Sequence, residues 1–127
     1  MSTLATTIEQ AKELVRLGLD PKTADMYYPY FGAGQYGDKP RVGFPIEYYS
    51  GGRDIPAWSL SALLEVMPNN DYWDIYLCQA QDSKWQCVFH DCEFSNGEYK
   101  DFIADTPLNA AYEMVCWLLT NNLITNN

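Results

Sequence analysis

Apolar residues recur at helical spacing in three stretches of this chain. The longest comprises Leu108, Ala111, Tyr112, Val115, Leu118 and Leu119, at i, i+3, i+4, i+7, i+10 and i+11. That is one face of a 3.6-residue helix, and it predicts a helix over 107–120. Thr106 suits the N-cap and Pro107 the first turn, where no intrahelical N–H is needed. Asn121 and Asn122 suit the stop, because Asn tolerates the left-handed conformation. Met114 and Trp117 widen the stripe, leaving Asn109, Ala110, Glu113, Cys116 and Thr120 as a narrow polar side. Near the N-terminus, Ile8, Ala11, Leu14, Val15 and Leu17 form a shorter stripe. Thr6 and Glu9 read as its capping box, and Gly18 followed by Leu19 as a Schellman stop. Asp20-Pro21 then restarts a turn of helix through about Asp25. The third stretch, 56–68, places Leu60, Leu63, Leu64 and Met67 on one stripe and ends at Pro68.

Between the last two helices the period shifts. Segments 72–79, 85–91 and 99–104 are rich in aromatic and β-branched residues and read as strands. Gln81-Asp82-Ser83-Lys84 joins the first two, and Asn96-Gly97 is a strong hairpin signal before the third. Segment 26–58 is different in kind. Residues 26–56 hold six of the ten tyrosines, six of the eight glycines and four of the seven prolines. It reads as mostly irregular, with short strands near 26–30 and 45–49. The fold expected is therefore α+β: one domain over 1–127, a three-stranded antiparallel meander packed against two to three helices.

Composition narrows the functional classes. A 127-residue chain that is 47% hydrophobic can bury a core without metal or disulfide staples. No stretch approaches the ~20 apolar residues that span a bilayer. The N-terminus has neither the basic nor the apolar region of a signal peptide, so a cytoplasmic location with reduced thiols is expected. The net charge of −9 is uneven. Residues 1–53 carry six acids and six bases; residues 54–127 carry eleven acids against Lys84 and Lys100. Direct nucleic-acid binding, which draws on basic patches, is not expected, whereas a basic partner is permitted.

Candidate chemistry is sparse. Gly32-Ala-Gly-Gln-Tyr-Gly37 matches G-x-G-x-x-G, but Asp38-Lys39-Pro40 follows where a dinucleotide site needs a helix. Cys78, Cys87, His90 and Cys92 resemble a zinc set by type, yet strand alternation sends Cys87 and His90 to opposite faces. A hairpin turning at Asp82-Ser83 would put Cys78 opposite Cys87, as two small buried hydrophobes in a reducing compartment. His90 and Cys92 are the one conceivable thiolate–imidazole pair. No cofactor, metal or catalytic set is expected from these residues.

Ile55–Pro68 and Asp105–Leu119, together with Ala24-Asp-Met-Tyr-Tyr28, carry a resemblance. In these segments the chain resembles short uncharacterised proteins from prophages and mobile elements of gut Bacteroides-type bacteria. The resemblance implies a helix after the aromatic segment, a closing helix and a phage-associated context; it implies no activity. The expected function is a non-enzymatic accessory or protein-interaction role with an unidentified protein partner. Its candidate contact surface is Tyr28, Tyr30, Tyr36, Tyr48, Tyr49 and Trp58, which would otherwise be an aromatic cover packed on the core. The alternative is an acidic inhibitor that imitates DNA phosphates toward a host nucleic-acid enzyme.

Overall fold

The computed structural model describes residues 4–43, 54–92 and 99–124. The chain is α+β and divides into two compact units, with the division falling between Ala62 and Leu63.

The first unit starts with helix α1 (Ile8–Arg16), whose capping box is present but displaced by one residue. Thr7 caps and Gln10 sits at N3, each side chain bonded to the other's backbone N–H. Thr6 cannot cap because it is fully buried and committed elsewhere. Gly18 ends the helix with φ of 104°, and Leu19 N–H returns to Leu14 C=O as expected of a Schellman turn. The turn after Asp20 is a short 3-10 helix, Pro21–Thr23, ending sooner than the sequence suggested.

The described parts of segment 26–58 are more regular than expected. Strand β1 (Met26–Tyr28) is central in a sheet ordered β4-β1-β5, between β4 (Arg41–Val42) and β5 (Ile55–Ala57). Strands β2 (Tyr30–Gly32) and β3 (Gln35–Tyr36) form a separate hairpin. Pro56 is accommodated because β5 lies at a sheet edge, where a missing N–H costs no ladder bond. Helix α2 (Leu60–Val66) consequently begins later than the 56–68 stretch suggested. Ser59 accepts a hydrogen bond from Ala62 N–H at its first turn. Leu63 is fully buried, but Leu64, expected on the same stripe, is 39% exposed.

The second unit contains the meander: β6 (Trp73–Gln79), β7 (Trp85–Asp91) and β8 (Tyr99–Ala104), antiparallel in that order. It is one of three sheets among the described residues. The register pairs Leu77 with Cys87 and Cys78 with Gln86. The hairpin loop holds an odd residue, with Asp82 and Ser83 both left-handed and Ala80 N–H bonded to Lys84 C=O. One residue of slip inverts every facing, so Cys78 and Cys87 point to opposite faces and both are free thiols.

Helix α3 (Pro107–Thr120) has the predicted bounds, the Thr106 cap and left-handed Asn122. It covers the inner face of the meander, packing on β7 and β8 and more lightly on β6. Trp117 and Trp73 both meet the Phe89 ring, with centroids at 5.3 and 5.4 Å. Val115, Leu118 and Leu119 are buried as the stripe requires. Ala110, assigned to the polar side, is buried too, its methyl being small enough to sit under the helix.

Candidate functional site

The sequence directs attention first to the aromatic segment, and the structure separates its members. Trp58 is fully buried: its backbone N–H donates to Thr6 Oγ1 at 3.1 Å, and its indole Nε1–H donates to Thr23 Oγ1 at 2.9 Å. Tyr28 is 7% exposed, with its hydroxyl donating to Thr6 C=O at 2.8 Å. Thr6 N–H in turn donates to Trp58 C=O. These two rings are interior posts around one threonine and offer nothing to a partner. The reason is amphipathic: each buried ring needs a polar partner for its N–H or O–H, and Thr6 and Thr23 supply them. Tyr30 and Tyr36 lie together on the β2–β3 hairpin, centroids 5.1 Å apart and half-buried. Tyr48, Tyr49 and the strand expected near 45–49 lie outside the described residues, as does the Asn96-Gly97 turn.

The glycine-rich motif is this same hairpin. Gly32, Ala33 and Gly34 all have positive φ, and Gly34 N–H donates to the Tyr30 hydroxyl. Gly37 instead meets Pro29 closely, since a Cβ there would sit 3.0 Å from the proline ring. The glycines make a turn, and a strand follows where a nucleotide site needs a helix.

His90 and Cys92 do come together, with Cys92 Sγ 3.5 Å from His90 Nδ1. Both side chains are exposed. Water therefore competes for both partners of this contact. Cys87 is the opposite case: burial, with a smaller push from nearby Cys78, raises its thiol to about 12. A thiol so held stays protonated and unreactive. Among the described residues no group of three or more His, Cys, Asp or Glu converges as metal ligands do.

A surface the sequence reading passed over is the outer face of the meander. Alternation and the register place Asp74, His90 and Tyr99 in one row, Tyr76, Val88 and Asp101 in the next, and Cys78, Gln86 and Ile103 in a third. Tyr76, Tyr99 and Ile103 are about half exposed, at 47%, 56% and 55%. Val88, between Tyr76 and Asp101, is buried under its neighbours. Gln86 donates to Asp101 at 2.8 Å and holds that carboxylate in place. The three rows hold no lysine or arginine; Lys84, paired with Asp105, lines the end of the face beside Gln86 and Ile103, and Lys100 lies over the Phe102 ring on the inner side. The signal for this face was present. Strand β6 reads Trp-Asp-Ile-Tyr-Leu-Cys-Gln, without the clean polar alternation of a sheet with one wet side.

Among the described residues no helix is long and apolar enough to cross a membrane. Compared with known protein families, curated proteins and solved structures, the chain matches none of them.

Proposed function

We propose that this is a non-enzymatic interaction protein whose contact surface is the outer face of the meander. One observation carries the reading: three large side chains, Tyr76, Tyr99 and Ile103, stand half in water on a single sheet face around a buried valine. A monomeric protein rarely leaves such a patch without a use. Tyrosine gives wide contact area at small entropic cost, and Asp74 and Asp101 among the rings favour a partner with basic side chains at the contact. The resemblance to prophage and mobile-element proteins suggests an accessory role for the element that carries it, in the cytoplasm of a bacterial host. The acidic-mimic alternative draws no support from the charge layout of the second unit. Asp74 and Asp101 face away from α3, whereas Glu113 is on the exposed side of α3, across the layer.

A photo-crosslinking amino acid placed at position 99 and, separately, at position 113 tests the reading. Expressed in a host cell, the first should capture a discrete partner and the second should not. Equal labelling from both positions would remove the outer face as the contact surface.

A further inference from the structure

Among the described residues the β6 strand is the open edge of its sheet, paired only with β7. In an antiparallel ladder, residues alternate between pairs that exchange backbone bonds and pairs that do not. Ala80 N–H bonds Lys84 C=O at one end, and Cys92 N–H bonds Tyr72 C=O at the other. Counting by twos, residues 72, 74, 76, 78 and 80 turn their backbone toward β7. Residues 73, 75, 77 and 79 therefore turn theirs outward. Trp73 N–H is taken by Asn70, at 3.0 Å to Oδ1. Ile75, Leu77 and Gln79 are left with their N–H and C=O groups facing away from the sheet, and among the described residues no strand pairs with them.

This edge is not bare. It forms one side of a groove of about 790 Å³, whose other wall is Leu64 and Glu65 of α2 with Met67 and Pro68 beyond it. A long unpaired edge beside a partly exposed leucine is what natural sheets ordinarily blunt with charge, proline or a bulge. Strand β6 has neither proline nor a register break over its seven residues. The groove holds two carboxylates, Glu65 and Asp74, and no basic side chain.

From these features we infer that the β6 edge receives an extended basic segment of another protein, which adds to the meander as a fourth strand. Its backbone bonds to Ile75, Leu77 and Gln79. Its side chains alternate. Those on the inner side fill the space between Leu64 and the half-buried Ile75 and Leu77 and are apolar; those on the outer side reach Asp74 and Tyr76 and are lysine or arginine. A second copy of this chain is a poor occupant. Pairing β6 with β6 would join two molecules of net charge −9 and offer the groove carboxylates no cation. The inference goes beyond the outer-face reading: it shares Asp74 and Tyr76 with that face but rests on the backbone of the strand edge, which the face does not use.

The test uses the full chain and a heptapeptide of alternating arginine and valine, capped at both ends. Hydrogen exchange and amide shifts should change at Ile75 and Leu77 on binding. The same peptide methylated on alternate backbone nitrogens should lose binding, although its charge and composition are kept. Reversing both groove acids (Glu65→Lys, Asp74→Lys) should weaken binding by more than about tenfold, and the same change of charge at exposed acids outside the groove (Glu9→Lys, Glu113→Lys) should weaken it far less. Equal binding of the methylated peptide would reduce the interaction to charge attraction and overturn strand addition. So would absence of binding, shifts confined to other strands, or a β6-paired dimer of the free chain.

Discussion

The two units are stabilised differently. The first has strands of two or three residues and a centre built on single hydrogen bonds: Trp58 and Tyr28 to Thr6, Trp58 to Thr23, and Tyr30 N–H to the buried Asp54 carboxylate. The second has strands of six or seven residues under a fourteen-residue helix, and its interior is aromatic and aliphatic. Apolar packing is spread over many weak contacts and tolerates approximation; a buried polar group is satisfied by one partner or by none. Losses should accordingly differ in kind between the units.

The largest effect belongs to the layered unit. Leu118 is fully buried beneath α3, so Leu118→Ala should cost ~2–5 kcal/mol through lost transfer energy and the cavity left behind. Denaturant melts measure this directly. A variant that melts with the parent would mean that the stripe of α3 does not make the core.

Thr6→Val is the matching test for the first unit. It keeps shape but removes the acceptor of the buried Trp58 N–H, and a buried donor left unpaired costs ~1–3 kcal/mol. The indole bond to Thr23 should survive. Trp58 fluorescence should therefore stay near its native maximum below the transition while the midpoint falls. An unchanged midpoint would show that water replaces the hydroxyl and that the Thr6 centre is dispensable.

These two residues also mark what was legible beforehand. The bounds of α3, its cap and the limits of β7 and β8 follow from periodicity and local chemistry, because they repeat over many positions. Thr6 gives no repeating signal. Its neighbour Thr7 is chemically identical as a cap, and only Trp58, 52 positions away, decides which of the two goes inside. The Cys78–Cys87 pairing failed for a similar reason: one residue more in the loop is enough to invert the facing, and composition does not count loop residues. The apolar outer face of the meander is signalled by the composition of β6, but which tyrosines stand in water follows only from the register.

Alkali should weaken both units, by a smaller and more gradual effect. The buried Cys87 thiol rises from 9.0 to about 12, and burial raises the Tyr28 phenol above its ordinary 10.0. Below pH 9 each is protonated whether the chain is folded or not. Above it the unfolded chain releases protons that the folded chain retains, so stability falls progressively from about pH 9 toward pH 12. Cys87→Ala and Tyr28→Phe should each flatten that fall relative to their own neutral-pH stability. Parallel slopes in parent and variants would locate the titrating groups elsewhere.

The smallest effect is expected on the same helix as the largest. Glu113 is exposed, five positions before Leu118 and about 140° around the helix from it at 100° per residue. It lies mid-helix, away from both ends, where the macrodipole has little hold on a charge. Glu113→Ala also exchanges a good helix former for the best one, a gain of a few tenths of a kcal/mol at most. The net change should stay within ~0.5 kcal/mol. Read beside Leu118→Ala, this turns a statement about burial into one about orientation. If Glu113→Ala destabilised by as much as the leucine variant, the charge would be held by a specific contact, and α3 would resemble the first unit's single-bond construction more than a packed layer.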